Sequence, residues 1–143
     1  MSEENVRVVA AAYEALANGG ISAFSDYWSE DIEWRTMRER WRGREAGRAY
    51  LQELVDMFED YATDVIELID AGNDQVVVSL RYGGRSKRTG MFVPLEYFAI
   101  LIRIRDGKIA HASEYATQRQ AVEAVGLKAF QSKADALEAA GLR

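Results

Sequence analysis

The 143-residue chain contains no cysteine, one proline and one histidine, and has no long apolar run. Without cysteine it can form neither disulfide bonds nor a thiolate nucleophile. A lone histidine, His111, is too little for the usual zinc or iron ligand sets, so we expect no metal and no cofactor. The longest apolar run, Phe98 to Ile102, is too short to span a bilayer, so we expect no membrane contact.

The charge balance excludes another class of partner. The formal net charge is −5, whereas general nucleic-acid binding needs clustered cations that neutralise phosphates. The N-terminus, MSEENVRVV, is acidic and lacks the apolar segment of a signal peptide. We therefore expect a cytoplasmic protein that does not bind nucleic acid.

Apolar periodicity predicts three helices in the first half of the chain. Val6, Val9, Tyr13 and Leu16 share one helical face, and Asn18-Gly19-Gly20 is typical of a helix end. A short second helix is predicted over residues 21–28, and a third from about residue 44 to 61. A strand at 31–36 and a loop at 37–44 separate them.

The second half alternates like strands. The predicted strands cover residues 63–70, 75–82, 92–105 and 108–117. Ala71-Gly72-Asn73-Asp74 and Arg105-Asp106-Gly107-Lys108 have the composition of hairpin turns. Helices followed by a meander of strands indicate an α+β fold.

The last strand carries a lone acid on a face of small residues. Side chains alternate between the two faces of a strand, which places Ala110, Ala112, Glu114 and Ala116 on one face and His111 on the other. The alanines leave room, and Glu114 projects into it. Such a face is typical of the wall of a ligand cavity.

Several segments together resemble the nuclear transport factor 2-like superfamily, and within it the SnoaL-like branch. They are VVAAAYEALANGG, SEDIEW, RGREAGRAYLQEL, AGNDQVVVSLR, and RDGKI followed by EY and QAVEAVGL. The resemblance implies a cone-shaped, cystatin-like roll: a curved antiparallel sheet wrapped around three N-terminal helices. It implies one domain over residues 1–127, and residues 128–143 are expected to form a short C-terminal helical extension.

The resemblance also suggests chemistry, but only in part. Ketosteroid isomerases of this superfamily use a tyrosine in the first helix, a protonated acid and a second acid as base. Tyr13 matches the tyrosine, whereas the two acids fall on Thr36 and Ile100. Isomerisation by that mechanism is therefore not expected.

Other acids could replace the missing ones. The candidate catalytic residues are Glu114, Glu96 and Tyr13. The candidate ligand-binding residues are Trp34, Thr36, Phe98, Ile100, Ala112 and Phe58. A purely structural role is the alternative: Glu96 could pair with Arg81, and Glu114 could bond to Tyr13 or Tyr115.

Two basic clusters bear on the ligand. One is the set of arginines between residues 35 and 48, with Trp41 among them as a candidate flap, and the other is Arg85, Lys87 and Arg88. If they meet at the mouth of the cone, they would attract an anionic group on the ligand. Solvated loops are the alternative.

The sequence thus predicts a pocket protein for a small, mostly apolar molecule. Cofactor-free acid–base catalysis of the isomerase, cyclase or dehydratase type is one hypothesis. A non-catalytic binding protein or a homodimeric interaction module is the alternative. The resemblance implies a homodimer formed through the outer sheet face, where His111, Ser113 and Tyr115 would lie.

Overall fold

The computed structural model describes the backbone of residues 2–125 and their side chains, except those of residues 2 and 94–96. The helices are α1 (Ser2–Ser25), α2 (Arg44–Asp56) and α3 (residues 118–125). The strands are β1 (Trp28–Arg35), β2 (Arg40–Arg42), β3 (Ala62–Gly72), β4 (Gln75–Arg85), β5 (Phe92–Arg105) and β6 (Lys108–Tyr115). The predicted extension at 128–143 lies outside the described residues. Within residues 2–125, no helix combines the length and the apolar character needed to cross a bilayer.

The α+β architecture predicted from the sequence is confirmed, with one difference in strand direction. The strands form a single sheet in the order β2-β1-β6-β5-β4-β3. β1 and β6 run parallel and every other pair is antiparallel, so the sheet is mixed. Hairpin connections force the antiparallel pairs, whereas β1 and β6 are separated by most of the chain and no turn fixes their direction.

The helices lie against a curved, open sheet. Register shifts, of the kind that bend strands, interrupt β4–β5 pairing between Tyr82 and Gly84 and β5–β6 pairing between Arg103 and Ile104. α1 contacts β3 and β4, and α2 contacts β1 and β2. α1 and α2 therefore cover one face of the sheet and enclose space against it, whereas α3 packs on the other face through Ala121.

The first two predicted helices form one element with a break at the predicted place. Gly20 has φ 82 and ψ −168, which is not helical and is accessible to glycine because it lacks a Cβ. The second segment ends at Ser25 rather than at Trp28. Trp28 instead begins β1, three residues before the predicted strand start, and its side chain is fully buried.

Two other observed boundaries also differ from the predicted ones, because hydrogen bonds between distant segments determine them. The predicted loop 37–44 contains β2, because Arg42 and Arg40 pair with Glu33 and Arg35. α2 ends at Asp56 and not near residue 61. The chain beyond it pairs with the end of β4: Phe58 bridges Ser86, and the Glu59 N–H donates to the Arg85 carbonyl at 2.8 Å.

A cluster of aromatic rings fills the end of the core nearest α2. The Trp28 ring lies 5.3 Å from Phe24, 6.1 Å from Trp34 and 5.5 Å from Trp41, centroid to centroid. Gly47 of α2 allows this packing, since a Cβ there would lie 2.4 Å from the Trp41 ring and 2.7 Å from the Trp28 ring. The absence of a side chain at residue 47 thus sets how closely α2 approaches the two indoles.

Candidate functional site

A cavity of about 340 Å³ lies between the helices and the inner face of the sheet. This volume is near the lower end of the roughly 300–1,000 Å³ that small-molecule sites occupy. Nine of the described lining residues are aromatic: Tyr13, Phe24, Trp34, Trp41, Tyr50, Tyr61, Tyr82, Tyr97 and Phe98. Most of the other described lining residues are aliphatic or small: four leucines, Ile100, Met37 and Ala116. The remaining two are polar, namely Thr63 and one acid, Glu114.

The strand register delivers Glu114 to this cavity. Glu114 pairs with Ile100 of β5, and Ala112, two residues earlier on the same face, pairs with Trp34 of β1. Ala110 and Ala112 are buried, so the small residues lie beneath neighbouring side chains and only the longer glutamate reaches the open space. The Trp34 Nε1–H donates to Glu114 Oε2 at 2.8 Å and fixes one carboxyl oxygen.

Burial dominates the electrostatics of the acid. It raises the pKa of Glu114, because withdrawal from water disfavours the charged form, while the hydrogen bond from Trp34 acts in the opposite direction. Burial and the charge of Glu114 together raise the pKa of Tyr13 well above its usual value. The pKa values of Tyr50 and Tyr61 are also raised, mainly by burial and in part by Glu114. The acid is therefore surrounded by neutral phenols from α1, from α2 and from the segment before β3.

Removing the Trp34 donor should move the pKa of Glu114 further from its ordinary value. In Trp34→Phe the acid stays partly buried but loses the hydrogen bond that favours its charged form, so its pKa should rise. The carbon-13 shift of the Glu114 carboxyl group against pH measures this change. Trp41→Phe is the matched control, because Trp41 lines the same cavity and its indole N–H has no hydrogen-bond partner among the described residues. An unchanged or lower pKa in Trp34→Phe would contradict the geometry.

The structure brings five of the nine predicted site residues to this cavity. They are Tyr13, Trp34, Phe98, Ile100 and Glu114. The backbone of Glu96 pairs with Tyr82, but its side chain lies outside the described residues. Of the alternative bonds expected, Arg81 pairs with Asp64 at 3.6 Å, and Glu114 bonds to Trp34 rather than to Tyr13 or Tyr115.

Three predicted ligand-binding residues are not among the described residues that line the cavity. Thr36 follows β1, where its hydroxyl donates to the Glu39 carbonyl at 3.0 Å and closes a turn. Phe58 packs on Tyr61, 5.8 Å between ring centroids, beside the bridge to Ser86. Ala112 has the predicted orientation but is completely covered in the core.

Sequence reasoning missed most of the aromatic wall. Trp41 was expected as a mobile flap in a loop, but it belongs to β2 and stacks on Trp34, with centroids 5.3 Å apart and planes 16° apart. Tyr50 and Tyr61 fall within the predicted third helix, but nothing in the sequence marks them as cavity residues. The sequence predicts Tyr82 at the end of a strand but does not indicate on which face of the sheet its side chain lies.

The basic clusters do not supply a cation to the described cavity lining. Arg44 Nε donates to the Trp28 carbonyl at 3.0 Å, and Arg48 Nε donates to Ser25 Oγ at 2.7 Å, so both tie α2 to the start of the sheet. Arg42 faces Glu33 on the outside, and Arg85 bonds to the Gly90 carbonyl at the hairpin tip. The geometry of these residues therefore gives no support to the predicted attraction of an anionic ligand group.

The outer sheet face carries a separate polar network. His111 Nε2 lies 3.0 Å from Glu33 Oε2, and Arg35 packs over the Tyr115 ring at 5.7 Å. His111 thus lies on the face opposite Glu114, as its alternation predicted. In the part of the chain that the structure describes, no group of three or more His, Asp or Glu side chains is placed to hold a metal ion.

Comparison with known proteins yields one family. The profile of the SnoaL-like domain matches residues 9–112. Among proteins of curated function, none matches the chain.

Solved structures share the fold. A protein from Catenulispora acidiphila with a ketosteroid isomerase-like fold, crystallised with trimethylamine, is 20% identical over 77% of this chain and 85% of its own, with a TM-score of 0.67. TerC, co-crystallised with polyporic acid, is 18% identical over 84% of this chain and 98% of its own, with a TM-score of 0.69. An NTF2-like protein from Burkholderia thailandensis is 27% identical over 78% and 88% of the two chains, with a TM-score of 0.69.

Proposed function

Because this chain belongs to the SnoaL-like domain family, we propose that its cavity binds a small, mostly apolar molecule that meets the carboxyl group of Glu114. The observation that carries the proposal is a single acid held in an otherwise aromatic and aliphatic wall. Apolar walls with a few placed polar groups are the general design of small-molecule sites. The neighbours crystallised with trimethylamine and polyporic acid support it, since this fold accommodates small molecules in those proteins.

Acid–base catalysis without a cofactor is the second candidate function. It is favoured by the raised pKa of Glu114, which suits a group that gives or takes a proton near neutral pH. Tyr13, kept neutral by its own raised pKa, could donate a hydrogen bond beside it. If a bound molecule is turned over, Glu114→Gln should lower the rate by about 10²–10⁴-fold, which is the usual contribution of such a group.

The three-group isomerase mechanism is not part of this proposal. The position of its protonated acid is occupied by Ile100, which is buried and apolar, and that of its base by Thr36, whose hydroxyl is engaged in a turn. Glu114 is the acid that the described cavity lining offers.

A substitution that fills the cavity should remove binding while leaving Glu114 unchanged. Thr63 lines the cavity from β3 and is only partly buried, so Thr63→Trp places an indole in the space without overpacking the core. A panel of small apolar molecules with carbonyl, hydroxyl, carboxyl or amine groups is first screened by thermal shift. Hits are then measured by calorimetry on each variant, and Thr63→Trp should weaken binding at least about tenfold, the effect of roughly 1.4 kcal/mol.

Thr63→Val is the matched control. It loses the same hydroxyl, including the 2.8 Å bond to the Tyr61 hydroxyl, but adds no bulk. Binding that survives in the valine variant and is lost in the tryptophan variant places the molecule in the cavity. Equal affinity in both variants, or no binder in a broad panel, would count against the proposed function.

We also propose a homodimer formed through the outer sheet face around His111, Ser113 and Tyr115. Sedimentation at micromolar concentration tests it, and a monomer there would refute it.

A further inference from the structure

We propose that the molecule bound beside Glu114 carries a positively charged ammonium group. This inference rests on the proposed function, because it names the chemical class of the ligand of the same cavity. It follows from two features of the cavity: a carboxyl group with no cationic partner, and the aromatic walls around it.

The carboxyl group of Glu114 lacks a compensating charge among the described residues. The neutral indole of Trp34 donates a hydrogen bond to it, and no described lysine, arginine or histidine lines the cavity. Buried carboxylates are normally paired, because an unpaired charge away from water is costly. Burial therefore disfavours the ionised acid in the free protein, and a ligand cation would complete the ion pair.

The aromatic walls favour the same sign of charge. They form three contacting sets: Trp34, Trp41 and Tyr50; Tyr61, Tyr82 and Phe98; and Tyr13 with Phe24. Glu114 lines the cavity together with members of all three sets, so the acid and the aromatic rings border the same space. Aromatic faces carry negative potential and attract a cation within about 6 Å of the ring centroid.

An anionic or a neutral ligand fits these features less well. An anion would be repelled by an ionised Glu114 and by the aromatic faces, and no described cation in the lining would offset this. A neutral ligand would leave the acid protonated and gain no ion pair. A compact ammonium with apolar substituents satisfies the acid and the apolar wall together.

The cation should also make binding depend on pH. Burial favours the protonated form of Glu114, whereas a bound ammonium favours the ionised form, so binding releases a proton. The described groups facing the acid are Tyr13 from α1, Trp34 from β1, Tyr50 from α2, Tyr61 before β3 and Ile100 from β5. The tyrosines have raised pKa values and stay neutral through the neutral range. Affinity should therefore rise with pH up to the pKa of Glu114 in the free protein and level off above it.

Choline and its uncharged carbon isostere, in which a tert-butyl group replaces the trimethylammonium group, provide a matched pair of probes. Calorimetry at a pH on the upper plateau should show choline binding at least about tenfold more tightly, a difference of about 1.4 kcal/mol that the ion pair with Glu114 and the aromatic faces supply together. Glu114→Gln, checked for folding by its melting temperature, should keep only the part of the choline preference that the aromatic faces supply and should lose the pH dependence. Glu33→Gln, an acid-to-amide change on the exposed outer face, should keep the preference.

Each contrary result overturns a defined part of the proposal. If the isostere binds as tightly as choline, the ligand class is wrong, but the cavity still binds a small molecule and the proposed function stands. If choline does not bind at millimolar concentration, the ammonium proposal fails. The proposed function is then tested separately, by measuring the binding of the panel hits to the two Thr63 variants. A choline preference and a pH dependence that both persist unchanged in Glu114→Gln would remove the acid from recognition.

Discussion

Ile100→Asp should destabilise the protein far more at pH 8 than at pH 5. Ile100 is 2% exposed and lies opposite Glu114 in the β5–β6 register, so the new carboxyl group would face both the apolar wall and the existing acid. Loss of the isoleucine packing should cost about 2–5 kcal/mol of unfolding free energy. An ionised carboxylate without a partner should add about 3–5 kcal/mol, and two neighbouring acids cannot both ionise readily, so this second cost should appear as the pH rises.

Ile100→Asn is the control for that pH dependence. It has nearly the same shape and polarity as aspartic acid but does not titrate, so its deficit should be nearly constant between the two pH values. Urea unfolding of both variants at each pH measures the difference. Parallel losses in the two variants would show that Ile100 does not face Glu114 in a closed environment.

Trp28→Ala should remove about 3–5 kcal/mol of unfolding free energy. Trp28 is 0% exposed and contacts Phe24, Trp34 and Trp41 through its ring, so truncation leaves a large void behind the cavity wall. Native proteins are stable by only about 5–15 kcal/mol, so a substantial share of the total would be lost. Binding should weaken as well, because Trp34 and Trp41 would lose the surface that supports them.

Trp28→Phe separates packing from hydrogen bonding. Trp28 Nε1 has no hydrogen-bond partner within the described residues, so phenylalanine removes ring volume alone and should cost clearly less than alanine. Urea unfolding at neutral pH compares the two. A loss below about 1 kcal/mol in Trp28→Ala would be typical of a surface position and would contradict its place at the centre of the aromatic cluster.

The sequence predicted what depends on local pattern. The facing of Glu114 followed from alternation and from three small neighbours, and His111 fell on the opposite face by the same rule. The break at Gly20 followed from backbone freedom. The family motifs then supplied the cone, which no local pattern could have specified.

The features of the site that the sequence did not predict depend on pairing between distant segments. Trp34 reaches Glu114 because β1 runs parallel to β6 with Trp34 opposite Ala112, and neither the direction nor the register can be read from either strand alone. Thr36 is buried, but it lies one residue past the end of β1, where its hydroxyl closes a turn and does not line the cavity. The sequence does not indicate the partners of Arg44 and Arg48, because their hydrogen bonds to Trp28 and Ser25 exist only once α2 has docked.

The central claim is that a small molecule binds in the cavity against Glu114. Nitrogen-15 spectra of the three tryptophan indole groups, recorded during titration with the tightest binder of the screen, test it most directly. The Trp34 resonance should move most, because its N–H donates to Glu114, and its titration curve should give the calorimetric dissociation constant. Trp34 and Trp41 indole resonances that stay unmoved at saturation would contradict binding in the cavity.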